Sequence, residues 1–104
     1  IVDFNNQQAD GPSTAMLSSE PVTDKFEAFG WHAQRVDGND IDAVREAFDR
    51  ARSLKEPRPR IIVCDTRMAK GVPFLESRDV THFIRVEPHE WALALEALEK
   101  GRPL

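Results

Sequence analysis

The sequence predicts an α/β fold in which helices flank an open, mostly parallel sheet. Residues 1–4, "IVDF", are typical of a short strand, and residues 61–65, "IIVCD", form a β-branched run of the kind buried on both faces of a parallel sheet. Between them, apolar residues recur at helical spacing up to Leu54, after a cap at Asn39 or Asp40. Strands that alternate with helices in this way indicate an open α/β sheet.

The first half of the chain contains two further predicted elements. The polar stretch "NNQQADGPS" after the first strand predicts a loop, with Gly11-Pro12 as a turn signal. A helix is predicted to start at Pro21 and stop at Gly30, with Val22, Phe26 and Phe29 at helical spacing. "WHAQRVDG" then alternates weakly and predicts a half-buried strand.

The last third of the chain is predicted to hold a long loop and a helix. The prolines of "KEPRPR" end the preceding helix, and "TRMAKGVPFLESRDVTHFIRVE" after the third strand predicts a loop without regular structure. A final helix is expected from Pro88 to about Lys100, with Trp91, Leu95 and Leu98 facing inward.

Strand order and crossover handedness determine where a ligand would bind. Crossovers in such sheets are almost always right-handed, and ligands bind beyond the carboxyl ends of the strands. Two predicted loops meet that condition, the one after Phe4 and the one after Asp65.

The composition narrows the class of protein. The chain has 104 residues, enough for one small domain, with ordinary hydrophobic (40%) and charged (31%) content. A formal charge of −4 without a Lys/Arg run argues against a nucleic-acid partner, and no apolar run reaches the roughly 20 residues needed to span a bilayer. A single cysteine, Cys64, allows no internal disulfide and favours a reducing, cytoplasmic setting. Within "IIVCD" it is expected to be a small core residue.

Four stretches together carry a family resemblance. "VDFNNQQADG", "EPVTDKFEAFGW", "VDGND" and "KGVPFLESRDVTH", in this order, resemble the thiamine-diphosphate-binding domain of transketolases, and most closely the form whose amino-terminal half is a separate subunit. The resemblance covers the whole chain but only the second half of that domain. Because the chain starts directly in a strand, we expect residues 1–104 to be part of something larger.

The resemblance implies a set of site residues. Asn5 would give a side-chain oxygen to Mg²⁺, and Gln7 would give its backbone carbonyl to the same ion. Lys70 and Gly71 match the Lys-Gly before the family's V-x-F segment, so that we expect them near the cofactor. His82 matches the histidine that lies close to the diphosphate and the substrate, and it is the catalytic candidate.

Metal chemistry is compatible with these residues. Mg²⁺ prefers hard oxygen ligands and usually takes few from the protein besides phosphate oxygens. An amide oxygen and a carbonyl add no charge, which suits an ion balanced by a diphosphate and one carboxylate. The family's Gly-Asp-Gly, which supplies that carboxylate, is absent from this sequence. The resemblance therefore implies partner polypeptides that carry Gly-Asp-Gly and the catalytic glutamate, in a hetero-oligomer or a fragment of a dimeric enzyme.

The implied function is transfer of a two-carbon ketol unit between sugar phosphates or related polyols, with the chain inactive on its own. One alternative is another thiamine-diphosphate enzyme: a 2-oxo acid dehydrogenase component, a phosphoketolase or a deoxyxylulose-phosphate synthase. A second alternative is a non-catalytic α/β binding module. This alternative would explain Ala9, Ala69 and Phe83, which stand where the family usually has an aliphatic residue and two glycines.

Overall fold

The computed structural model describes residues 1–101, which contain five short or medium helices and five strands. In chain order these elements are β1 (Val2–Phe4), β2 (Gln7–Gln8), β3 (Gly11–Pro12), α1 (Ser13–Met16), α2 (Val22–Ala28), β4 (His32–Asp37), α3 (Ile41–Ser53), β5 (Arg60–Asp65), α4 (Pro73–Glu76) and α5 (Pro88–Lys100). No helix among them is long and apolar enough to cross a membrane.

The chain divides into two compact units. The first unit comprises 1–5 and 17–66, and the second unit comprises 6–16 and 67–104. The first unit holds a parallel three-stranded sheet in the order β1-β5-β4, and the second holds an antiparallel pair, β2-β3. The predicted α/β class with a mostly parallel sheet is therefore confirmed.

Helices cover both faces of the parallel sheet in the first unit. On one face, α3 buries Ala47 and Ala51 against Ile62 and Cys64 of β5. Asp40 caps α3 by accepting hydrogen bonds from the backbone N–H groups of residues 42 and 43, so that the second of the two predicted caps is the one used.

The opposite face of the sheet packs against α2. Val22 of that helix is buried with Ile61 and Val63, and Phe26 contacts Trp31 edge-on at 5.3 Å between ring centroids. Because β5 is covered on both faces, its apolar run does not alternate, as expected for a central parallel strand. Cys64 is a core residue as predicted, and burial raises the pKa of its thiol above the ordinary value.

The second unit differs from the sequence prediction in three places. The predicted loop after the first strand contains the hairpin β2-β3 and the single-turn helix α1. The predicted long loop contains α4, which begins at a proline. Both elements are so short that their periodicity is not visible in the sequence.

The third difference concerns the inward face of α5. Trp91, Leu95 and Leu98 are exposed by 57%, 60% and 46%, so the prediction that they face inward is wrong for the described residues. The buried residue is Ala94, which packs with Val72 and Leu75. A small side chain at the contact lets the helix approach closely, and the bulkier residues then flank the contact.

Candidate functional site

The three parallel strands of the first unit end level with one another. Phe4 and Asp37 are each paired with Asp65, so the carboxyl ends of β1, β5 and β4 form one straight edge. Asn5, half-buried, is the first residue beyond that edge, and the preceding carbonyl of Phe4 accepts a hydrogen bond from the Thr66 N–H at 3.1 Å. Asn5 thus stands where ligands bind in open α/β sheets.

The backbone at this edge is closely packed around Gly38. Its N–H donates to the Asp65 carbonyl at 2.7 Å. A Cβ at this position would lie 2.6 Å from Cγ2 of Thr66 and 2.7 Å from Cβ of Cys64, which leaves room only for glycine. The Thr66 hydroxyl donates a hydrogen bond to the Asp3 carboxylate, which therefore helps to hold the residue after β5 in place.

A second polar group on the same edge is centred on Arg35. Its guanidinium donates two parallel hydrogen bonds to Asp65, at 2.8 and 2.7 Å, and contacts the Glu20 carboxylate at 2.7 Å. These bonds hold the pKa of Glu20 below its usual value and raise the pKa of Arg35. The guanidinium also lies 5.0 Å from the centroid of the Phe4 ring. We call Arg35, Asp65, Glu20 and Phe4 the Arg35 cluster.

In the second unit, the β2-β3 hairpin determines the direction of the Gln7 backbone. The Ser13 N–H donates to the Asn6 carbonyl at 2.9 Å, which makes the adjoining pair of Gln7 and Pro12 a non-hydrogen-bonded pair of the antiparallel ladder. The Gln7 carbonyl therefore faces away from the partner strand, as a metal ligand must. Asp10 lies in the turn of this hairpin, in agreement with its residue type.

The side chain of Gln7 reaches a residue 74 positions away. Its Oε1 accepts hydrogen bonds from the Thr81 backbone N–H, at 2.9 Å, and from the Thr81 hydroxyl. Thr81 is buried, whereas its neighbour His82 is exposed with its ring edge-on to Phe83 at 4.8 Å. The contact joins the segments of two residues assigned to the site, Gln7 and His82.

Thr81, which holds the Gln7 side chain, is a residue of the candidate site that sequence reasoning missed. It lies inside the quoted stretch "KGVPFLESRDVTH", directly before the histidine, but a threonine in a presumed loop carries no signal of its own. Its role depends on a partner at the other end of the chain.

The Lys70-Gly71 turn is built from left-handed backbone conformations. Ala69 has φ +57° and Gly71 has φ +96°. The Gly71 N–H donates to Glu76 Oε1 at 2.8 Å, and Leu98 Cδ2 lies 3.0 Å from where a Cβ would stand. Lys70 at the centre of the turn is exposed. The alanine at position 69 adopts a conformation that suits a glycine, which explains the glycine of the family pattern.

The predicted site residues are thus divided between the units. Gln7, Lys70, Gly71 and His82 belong to the second unit, and Asn5 belongs to the first. Within residues 1–101, no three His, Cys, Asp or Glu side chains form a group that could hold a metal. The expected ligands are neutral oxygens of a different type, an amide and a carbonyl, which fit Mg²⁺ when a diphosphate supplies the negative charge.

The sequence is similar to known proteins along nearly its whole length. The family model described as "Transketolase, thiamine diphosphate binding domain" matches residues 1–98. The chain belongs to this family. An uncharacterized transketolase family protein of Sinorhizobium fredii is 62% identical over 101 residues, which are 97% of this chain and 36% of that protein.

Two further relatives of the transketolase family show how its members differ in length. A 6-deoxy-6-sulfo-D-fructose transketolase subunit of a Clostridium species is 34% identical over 96% of this chain and 36% of the subunit. A transketolase of Sinorhizobium medicae is 38% identical over 97% of this chain but only 14% of that enzyme. The chain therefore spans about a third of the first two relatives, and a smaller share of the third.

Proposed function

We propose that this chain is the carboxyl-terminal part of the thiamine-diphosphate domain of a transketolase-like enzyme. It would hold one side of a Mg²⁺–diphosphate site, and the complete enzyme would transfer a two-carbon ketol unit between sugar phosphates or related polyols. The observation that carries the proposal is the position of Asn5 directly beyond the sheet edge. The Gln7 carbonyl, turned away from its hairpin partner, is the second proposed donor.

Each site residue that this chain contributes has a distinct proposed role. Asn5 binds the ion through its side-chain oxygen, and Gln7 binds it through its carbonyl, while the bond from Thr81 keeps Gln7 in place. The exposed Lys70 offers a positive charge to the diphosphate from a turn that Gly71 makes possible. His82 presents its exposed ring to substrate and diphosphate, as its match to the family's histidine implies. Bound thiamine diphosphate supplies the electron sink for breaking and forming the carbon–carbon bond.

The remaining parts of the site would come from other polypeptide. Neither Gly-Asp-Gly nor the glutamate that activates the cofactor has a counterpart in this sequence, and the chain spans 36% of two of its relatives. We expect the chain alone to transfer no ketol groups, because one metal carboxylate and the cofactor-activating acid would be lacking.

The substrate is proposed from the class of relatives. One relative is named as a 6-deoxy-6-sulfo-D-fructose transketolase subunit, which supports an acyclic ketose donor that carries an anionic group at its far end. A sugar phosphate has the same character, so phosphate-bearing ketoses are the first donors to assay.

The test is metal-dependent cofactor binding by the chain assembled with the polypeptides that carry the rest of the enzyme. Thiamine diphosphate is titrated with and without Mg²⁺, and binding is followed by calorimetry. We expect saturable, Mg²⁺-dependent binding that Asn5→Ala weakens at least about 10-fold. The matched control is Gln8→Ala, which removes an exposed amide three residues further along the chain. No binding in the assembled protein would favour the non-catalytic module, and equal effects of the two variants would refute Asn5 as a ligand.

A further inference from the structure

The Arg35 cluster is an unusually specific arrangement for an exposed sheet edge. Arg35 uses its Nε and Nη2 donors on Asp65, and Nη2 also meets Glu20 at 2.7 Å. Bidentate arginine–carboxylate pairs fix the plane of the guanidinium as well as its position. The two carboxylates also outnumber the single cation, so the cluster does not repel a nearby divalent ion.

The guanidinium plane is held against the residue before Asn5. The Phe4 ring lies 5.0 Å from Arg35 Cζ and packs against the core that contains Val63. The Phe4 carbonyl is held separately by the Thr66 N–H at 3.1 Å. Phe4 is therefore fixed at its ring and at its backbone, and Asn5 follows it directly.

From this geometry we infer that Arg35 is a positioning residue for Asn5. It holds the Phe4 ring in place and thereby sets the direction in which Asn5 leaves the sheet. Arg35 acts through Phe4 and contacts no metal itself. The inference rests on the proposed role of Asn5 as a metal ligand, and it adds a residue that the motif comparison does not assign.

Lysine cannot replace arginine in this role. An ammonium group is a point donor without a planar fork, so it cannot reproduce the two parallel bonds to Asp65 together with the contact to Glu20. Residues that orient a metal ligand typically change metal affinity 10- to 100-fold when they are replaced.

The experiment measures Mn²⁺ binding by electron paramagnetic resonance in the assembled enzyme at saturating thiamine diphosphate. The variants are Arg35→Lys, Phe4→Leu and the double variant. Arg45→Lys is the charge control, because Arg45 is 71% exposed and pairs with Asp42 on α3. Val44→Ala is the stability control, because it loosens the core on the opposite face of the sheet.

Each single variant is expected to raise the Mn²⁺ dissociation constant about 10-fold, and the double variant no more than about two-fold further, since both act on one contact. The two controls stay within about two-fold of the parent. An unchanged constant for Arg35→Lys overturns the inference, as does a double variant weakened about 100-fold, the product of two independent effects. If Arg35→Lys does not assemble, the Mn²⁺ dissociation constant of Phe4→Leu is the test, and an unchanged constant overturns the inference.

Asn5→Ala separates this inference from the proposed function. If Asn5→Ala abolishes Mn²⁺ binding while Arg35→Lys leaves it unchanged, only the positioning role of Arg35 is wrong. If Asn5→Ala binds Mn²⁺ like the parent, the proposed metal site is wrong and the Arg35 inference with it.

Discussion

Replacing Gly38 with alanine is expected to destabilise the fold more than any other single-methyl addition to a described glycine. The new Cβ would lie 2.6 Å from Thr66 Cγ2 and 2.7 Å from Cys64 Cβ, and both of those atoms are attached close to the backbone of β5. Cys64 Cβ is attached directly to the backbone, and Thr66 Cγ2 can rotate away only if the hydroxyl gives up its hydrogen bond to Asp3, so we expect β4 and β5 to separate at their carboxyl ends. The same movement weakens the 2.7 Å hydrogen bond from Gly38 to Asp65.

The expected loss of stability follows from the overpacked contact and the weakened hydrogen bond. Overpacking a close contact costs about 1–3 kcal/mol, and a lost backbone hydrogen bond costs about 1 kcal/mol. We therefore expect Gly38→Ala to lower the free energy of unfolding by about 2–4 kcal/mol. Urea denaturation of the full chain, followed by circular dichroism at 222 nm, measures the change.

Two further variants make the reasoning refutable. Gly101→Ala is the control, because the nearest non-adjacent atom to its Cβ among residues 1–101 would be the Ala97 carbonyl oxygen at 3.5 Å, and it should cost less than about 0.5 kcal/mol. Thr66→Ser removes the nearer clashing atom while it keeps the hydroxyl that bonds Asp3, so adding it to Gly38→Ala should recover part of the loss. A cost for Gly38→Ala equal to that of the control would refute the close-approach argument.

Three other predictions concern backbone strain, acid stability and thiol reactivity. Ala69→Gly should stabilise the chain by up to about 1 kcal/mol in the same denaturation assay, because Ala69 has φ +57°, which disfavours residues with a Cβ. Glu20→Gln should lower stability at pH 6 but remove part of the loss on acidification, since the pKa of Glu20 is depressed mainly by its bond from Arg35. Cys64 should react with iodoacetamide at pH 8 far more slowly than glutathione does, because burial raises the pKa of its thiol.

The direction of the Glu20 pKa shift determines how the stability of the chain changes with pH. A carboxyl whose pKa is lower in the folded state stabilises the protein fully above its unfolded pKa of 4.5, and this contribution is lost as the pH falls through the folded value. The difference between parent and Glu20→Gln should therefore be largest above pH 5 and shrink below pH 4.5. A constant difference across this range would contradict the linkage.

The other two predictions have equally direct contrary outcomes. A loss of stability in Ala69→Gly would mean that the entropy of the unfolded glycine outweighs relief of the left-handed conformation. Modification of Cys64 at the rate of a free thiol would mean that β5 opens readily, in conflict with its position between two helices.

Elements with long local patterns could be predicted from the sequence. The helix from 41 to 53 has an apolar stripe and a capping aspartate, and β5 has an unbroken apolar run, so local chemistry alone determines both. The sequence pattern of β4 indicates a strand only weakly. Its Ala33 packs on the α2 side and its Val36 on the α3 side, while Arg35 joins a polar cluster, so no clean alternation exists.

The features that depend on distant contacts could not be predicted. The pairing of Gln7 with Thr81 spans 74 residues, and the requirement for glycine at position 38 arises from atoms of a neighbouring strand. The orientation of α5 was missed for a similar reason. Its buried position, Ala94, is determined by what it contacts, and an apolar stripe of larger residues gave the stronger pattern.

The hydrogen bond between Gln7 and Thr81 can form only late in synthesis of the chain. The hairpin is synthesised before the threonine that secures it, because Thr81 follows Gln7 by 74 residues. Until Thr81 is made, the Gln7 side chain has no access to that anchor, and closing so long a loop is slow compared with local helix formation. A chain that ends before position 81 would thus have the β2-β3 hairpin without the donors that hold the Gln7 side chain.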